Sequence, residues 1–301
     1  MLSEETRKSF FSCLKSEEKY NRWIELYKEW SAENVVAGND DAFSVLEFLR
    51  SYEDRYAATT LWSVYSILNK YFKVYKNVSL SDCAVLRDWL KLQEGRHLKK
   101  KAQVFSREEI DSFLQSESSF HNELIMEKCA LVIGLHGVLR VSELTNLSYD
   151  DVRGESNGDW VVWVVASKTD KRKAGWTYRV TGDDARHVKN YVDALPEEVR
   201  KGRFFNRPLT TRKGFSLQPV GKNTLGSLPR QIARFLKRND ALLFSGHSIR
   251  RTGVTILADA GVNRLISKRA GRWKSDTVAE GYIAESLSSK PLSLTHSPSG
   301  R

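Results

Sequence analysis

Tyr282 stands nine residues after Trp273, and Trp273 stands twenty-three residues after Arg250, the last residue of the run Gly246-His247-Ser248-Ile249-Arg250. A phenol downstream of a His-x-x-Arg suits one reaction type, attack on a phosphodiester with cations steadying the pentacoordinate phosphorus. Phosphoryl transfer without a metal needs fixed positive charge on the two non-bridging oxygens, an oxygen nucleophile, and a proton donor for a poor alkoxide leaving group. Arginine suits the first role, because its planar fork pairs with two oxygens and keeps its charge. Arg140 and Arg250 both fall at expected helix boundaries. A phenol with a pKa of about 10 is a weak nucleophile at neutral pH, so Tyr282 requires cationic neighbours or a base, and His247 is placed to assist.

Taken singly, each residue has a plainer explanation. A lone arginine after an apolar helix is usually a surface ion-pair residue, a histidine at a helix start need move no proton, and Trp273 or Tyr282 on an amphipathic helix is commonly packing. Lys168 is one exposed lysine among several. Their joint occurrence in order is what points to chemistry: Arg140, a basic hairpin holding Lys168, His247-x-x-Arg250, Trp273, then Tyr282.

The elements that must position these groups follow from composition and pattern. A chain of 301 residues, 41% hydrophobic, suggests about two domains. The net charge is +11 and lies in the second part: residues 1–100 carry 16 Lys and Arg against 15 Asp and Glu, residues 101–301 carry 32 against 22. Such a basic surface suits a polyanion such as nucleic acid, although solvated lysines on an ordinary enzyme give the same total. Cys13, Cys83 and Cys129 are widely spaced, with no clustered histidines, which argues against a zinc site or a disulfide framework. No apolar run reaches the length of a bilayer span, and the amino terminus lacks the features of a signal peptide. A reducing compartment that contains nucleic acid is expected.

Residues 1–98 read as helix after helix, from apolar positions near helical spacing: Trp23, Ile24, Tyr27 and Trp30, then Phe43, Leu46, Phe48 and Leu49, then Leu61, Tyr65, Leu68 and Phe72. Another helix is expected over 79–92, with Ser81 or Asp82 as cap. Gly95-Arg96-His97-Leu98-Lys99-Lys100-Lys101 breaks the periodicity, and a basic linker is placed at 99–104. Ser106 and Glu109 have capping-box spacing ahead of Ile110 and Phe113. Strand signals occur once, at 160–165 and 176–180, as a hairpin tipped by Lys168, Lys171, Arg172 and Lys173. Helices are expected again over 183–194, 224–237, 249–260, 264–270 and 275–285, with Pro219 and Pro229 marking a loop and a helix start. The Ser/Pro-rich tail, 287–301, is expected to fray. No Gly-rich phosphate loop is present, so nucleotide hydrolysis has no support.

The stretch Ser245-Gly246-His247-Ser248 through Ala260-Gly261-Val262 to Gly271-Arg272-Trp273 and Gly281-Tyr282-Ile283 resembles the tyrosine recombinase (phage integrase) family, most closely its Cre branch. The resemblance implies a mainly α protein: a helical, SAM-like core-binding domain, then a mostly helical catalytic domain over 105–286 with a small antiparallel hairpin or sheet, the DNA breaking-rejoining enzyme fold. It implies that Tyr282 attacks the scissile phosphate to leave a 3′-phosphotyrosyl link and a free 5′-hydroxyl, with neither metal nor other cofactor. Arg140 and Arg250 match the paired arginines on the non-bridging oxygens, Lys168 the lysine that protonates the leaving oxygen, and His247 the histidine that assists proton movement. Trp273 matches a position that donates one indole hydrogen bond to phosphate. Glu143 matches a buried carboxylate that orients the site. Lys99, Lys100, Lys101, Lys171, Arg172, Lys173 and Arg251 are expected on DNA.

The implied activity is site-specific recombination through a Holliday junction, giving integration or excision. Its partner is double-stranded DNA with paired sites, bound by a homotetramer that is a monomer or weak dimer off DNA. No membrane is involved, and the implied location is the cytoplasm or nucleoid in a prokaryote or virus, the nucleus in a eukaryote. A strand-swivelling type IB topoisomerase and a DNA-binding regulator derived from a recombinase are the alternatives. The short tail after the tyrosine helix departs from the family's habit of docking a C-terminal helix into a neighbouring subunit.

Overall fold

The computed structural model describes residues 17–34, 41–96, 102–116, 124–165, 175–209 and 214–272, with single positions 3, 6 and 11. The chain divides into two compact units, Met1–Lys100 and Lys101–Arg301.

The first unit holds α1 (Glu17–Glu33), α2 (Asp41–Arg50), α3 (Ala58–Tyr75) and α4 (Ala84–Arg96). The apolar stripes seen in the sequence meet in one core of Trp23, Tyr27, Phe48, Leu68, Phe72, Leu86 and Leu90. Aromatic rings supply much of it: Trp23 and Tyr27 each set a ring edge-on to Phe48, at 6.4 and 5.3 Å between centroids. Phe43 leaves the pattern and is exposed. The helix expected over 79–92 starts later. Leu80–Asp82 form a short 3-10 turn in which Leu80 is buried and its N–H donates to Asn69 Oδ1 at 2.9 Å, so α4 begins at Ala84 rather than after a Ser81 or Asp82 cap. Gly95 and Arg96 end α4 on its solvent side, where the backbone stays helical although the apolar periodicity has ended.

The second unit opens with α5 (Arg107–Gln115), capped as the sequence indicates: Glu109 N–H donates to Ser106 Oγ at 3.2 Å, and Ser106 N–H to Glu109 Oε2 at 2.8 Å. Next come α6 (Ile125–His136) and the short α7 (Val141–Asn146). Cys129, Ala130, Leu131, Val132 and Ile133 of α6 are all buried, which makes this helix the centre of the core. Strands β1 (Val152–Gly154), β2 (Trp160–Val164) and β3 (Trp176–Val180) form an antiparallel meander, with Trp160 opposite Val180 and Val164 opposite Trp176. β4 (Asn206–Pro208) and β5 (Phe215–Pro219) make a second, two-stranded antiparallel sheet. The sequence signalled only β2 and β3. β1 and β4 are three residues each, too short to show a period of two, and Pro219 ends β5 instead of lying in a loop.

The remaining helices are α8 (Ala185–Ala194), α9 (Lys222–Phe235), α10 (Ser248–Asp259) and α11 (Arg264–Ala270). Pro229, expected at a helix start, lies inside α9. The buried face Leu225, Leu228, Ile232 and Ala233 runs across the proline, which is itself buried, so core packing carries the helix through the missing N–H. Among the described residues no helix is long and apolar enough to cross a membrane.

Candidate active site

Two close approaches bring the arginines together. A Cβ on Gly253 of α10 would meet the Leu135 carbonyl at 2.8 Å, so α10 lies against the end of α6 as only glycine allows. A Cβ on Gly246 would meet Val141 Cγ2 at 2.4 Å, which brings the start of α10 against the residue that follows Arg140.

Between α6 and α7 the chain turns through Gly137-Val138-Leu139, with Val138 at φ 47, an unusual backbone for a β-branched residue. The turn places Arg140 at the N-cap of α7. Arginine has no acceptor, so only half of a capping box can form here, and the Glu143 carboxylate makes it. Glu143 Oε2 accepts from Arg140 N–H at 2.8 Å, while Oε1 accepts from Arg140 Nη1 at 2.6 Å. The Glu143 side chain is 5% exposed and that of Arg140 29%.

Arg250 is 2% exposed, the largest fully buried side chain described. Its Nη1 donates to the Val138 carbonyl at 2.6 Å and lies 4.0 Å from Glu143 Oε2, and its Nη2 donates to the Gly271 carbonyl. A third guanidinium joins from the end of the described chain. Arg272 Nη2 donates to Glu143 Oε2 at 2.7 Å and to the Val138 carbonyl at 3.1 Å, and its Nη1 donates to the Gly137 carbonyl at 3.0 Å. Three guanidinium groups thus surround one buried carboxylate, an excess of two positive charges within a few ångströms. Beside the cluster a cleft of about 470 Å³ is lined by His136, Val138, Trp176, Tyr178, Arg269 and Arg272.

His247 is the N-cap residue of α10 and is exposed, so the start of the helix offers the imidazole to solvent three residues ahead of buried Arg250. Arg251, expected on DNA, is 6% exposed and faces the interior. Tyr178 on β3 also lies beside the cluster, but its hydroxyl donates to the Ile133 carbonyl at 2.8 Å, and burial pushes its phenol well above the ordinary range. That disfavours it as a nucleophile. Tyr282, Trp273, Lys168, Lys171, Arg172, Lys173, Lys99, Lys100 and Lys101 lie outside the described residues. The structure therefore brings together Arg140, Glu143 and Arg250 of the expected set, and adds Arg272 and Trp176, which sequence reasoning left without a role. The adjacency of Arg272 to Trp273 was the available signal; nothing in the spacing pairs it with Glu143. Among the described residues no group of three His, Cys, Asp or Glu could hold a metal ion.

No protein-family profile matches the chain. An integrase/recombinase XerD homologue of Selenomonas ruminantium is 24% identical over 167 residues, a match that spans 54% of this chain and 48%, about half, of that protein. Among solved structures, the XerH site-specific recombinase bound to a palindromic difH substrate, a post-cleavage complex, superposes with a TM-score of 0.64 at 16% identity. That superposition covers 95% of this chain and 81% of the recombinase. The Tn1549 transposon integrase in complex with transposon right end DNA gives 0.62 at 17% identity, covering 92% of each chain. A lambda integrase dimer bound to a core site gives 0.56 at 16%, covering 93% of each. At these identities the likeness establishes the fold, mainly helical with small antiparallel sheets: that of the tyrosine recombinase catalytic domain, preceded by helices.

Proposed function

We propose that the chain is a site-specific DNA recombinase that breaks and rejoins strands through a covalent tyrosine intermediate. The observation that carries this is the meeting of Arg140 and Arg250 around buried Glu143, because it concentrates fixed positive charge where the sequence motif calls for a phosphate clamp. Arg250 is held by two backbone carbonyls and Arg140 remains partly open, so the phosphate approaches from the Arg140 side. An excess of two positive charges suits a phosphorane, which carries one more negative charge than the diester it forms from.

In this reaction the Tyr282 oxygen attacks phosphorus, the bond to the 5′-oxygen breaks, and Lys168 gives its proton to that oxygen. A 3′-phosphotyrosyl link and a free 5′-hydroxyl result. His247 assists the proton at the nucleophile, and Trp273 donates its indole N–H to a phosphate oxygen. Reversal with the 5′-hydroxyl of a second duplex exchanges strands, so no external energy source is needed. Lys99, Lys100, Lys101, Lys171, Arg172 and Lys173 supply cations for the backbone. The core-binding role of the first unit, the tetramer on paired sites and the affinity with the Cre branch belong to the same proposal; the last rests on the motif through Tyr282. The named relatives support the class of activity, as recombinases and integrases, several of them bound to DNA.

The test is a plasmid assay with the DNA that the protein protects from nuclease, present in one or two copies. Products that require two matching copies support recombination. Relaxation of supercoils on plasmid with no such site would replace it with a strand-swivelling topoisomerase, and binding with neither product would leave a DNA-binding regulator.

A further inference from the structure

We propose that Arg272 is a positioning residue for strand cleavage, tying the segment that leads into Trp273 and Tyr282 to Glu143 and to Trp176 at the base of the basic hairpin. The inference rests on the recombinase reading above and assigns a role to a residue outside its expected clamp. Arg272 sits at φ 50, a left-handed backbone uncommon for a residue with a side chain. The surroundings here are specific. Its guanidinium donates to the Gly137, Val138 and Ala270 carbonyls and to Glu143, and its central carbon stands 3.7 Å from the Trp176 ring centroid, a close cation–π stack.

Those contacts join three stretches of chain. The Gly137–Val138 turn leads into Arg140, Trp176 starts β3 eight residues after Lys168 in the sequence, and Arg272 immediately precedes Trp273 in the sequence. One side chain thus joins the turn before Arg140, the start of β3 and the last residues before Trp273 in the sequence. It also acts electrostatically. By pairing with Glu143 Oε2, Arg272 offsets the carboxylate that would otherwise be shared between Arg140 and Arg250 alone, which leaves Arg140 more strongly positive toward a phosphate. Its side chain is 19% exposed and is committed to four protein acceptors, so it acts through Glu143 and the turn rather than on the substrate.

The experiment is single-turnover cleavage of a nicked suicide duplex by the full chain, with DNA affinity and thermal melting measured on the same proteins. Arg272→Ala is expected to slow adduct formation by roughly a hundredfold, with DNA affinity nearly unchanged, and Arg272→Lys, which keeps the charge but loses the fork and the stack, to fall between. In a Glu143→Gln background the same Arg272→Ala change is expected to cost less, because the charge it offsets is gone while its carbonyl and Trp176 contacts remain. Wild-type cleavage by folded Arg272→Ala overturns the positioning role, and an unreduced penalty in the Glu143→Gln background overturns its electrostatic part, both leaving the recombinase reading intact. If Arg272→Ala does not fold, Arg272→Lys carries the test: a wild-type rate overturns the inference, and a reduced rate with intact melting supports it. Absence of any adduct from the wild-type chain overturns the cleavage reading itself, and the role of Arg272 with it.

Discussion

Arg250 Nη1 donates to the Val138 carbonyl at 2.6 Å, so a buried guanidinium on α10 is fastened to the strained turn two residues before Arg140. The bond fixes the spacing between the two arginines by the backbone, without relying on a bound phosphate. A cation held this way needs little reorganisation when charge develops on a phosphorane.

Replacing Arg250 therefore separates binding from chemistry. Arg250→Lys retains a charge but cannot bridge the Val138 and Gly271 carbonyls, and cleavage is expected to fall by about 10²–10³. DNA affinity, spread over many backbone contacts, stays close to wild type. Single-turnover cleavage beside a gel-shift titration checks both; an unchanged rate removes Arg250 from the clamp.

Glu143 offers a stability test of the same cluster. Glu143→Ala leaves Arg140, Arg250 and Arg272 around a site with no carboxylate, and is expected to cost roughly 3–5 kcal/mol. Glu143→Gln keeps the shape and an acceptor and is expected to cost less. Urea unfolding of the three proteins gives the comparison, and equal stability of wild type and Glu143→Ala would contradict the buried pairing.

The pH dependence of folding should carry the mark of His187. It is buried on α8, and burial, reinforced by Arg186 and Lys128, holds its pKa below the ordinary value. As pH falls through about 6.5 the unfolded chain takes up a proton that the folded protein refuses, so stability present above that pH is lost below it. Asp184 adds a loss in the same direction at lower pH, since the hydrogen bond to His136 holds its carboxyl below the usual range. Denaturation midpoints at pH 7.5 and 5.5 should differ less in His187→Gln than in wild type. An identical drop in both proteins would assign the sensitivity elsewhere.

Metal chelation supplies a fourth test. Guanidinium groups supply the proposed positive charge at the phosphate, so EDTA is expected to leave strand cleavage intact; abolition by EDTA, with recovery on adding a divalent ion, would contradict that chemistry.

Local patterns carried much of this architecture in the sequence. The Ser106–Glu109 cap and the separate strand patterns of β2 and β3 depend on neighbours within a few residues, and they form where the pattern indicates. What stayed hidden depends on distant partners. β1 and β4 are too short to announce themselves and exist through pairing with β2 and β5. Pro229 is kept helical by a buried face, against its local preference. Arg140 and Arg250 were singled out by motif order and Glu143 by the family resemblance, but the Arg272–Glu143 contact spans 129 residues and has no periodic signature. Burial of Arg251 was equally invisible, because its neighbour in sequence gives no hint of which helix face packs inward.

The covalent intermediate is the most direct measurement. A nicked suicide duplex bearing the protected site, incubated with wild-type chain and with Tyr282→Phe, is resolved on a denaturing gel. The proposed chemistry gives a protein–DNA adduct joined through a 3′-phosphotyrosine at Tyr282 and no adduct from Tyr282→Phe. An adduct that survives in Tyr282→Phe, or DNA binding by the wild-type chain with no adduct at all, would contradict it.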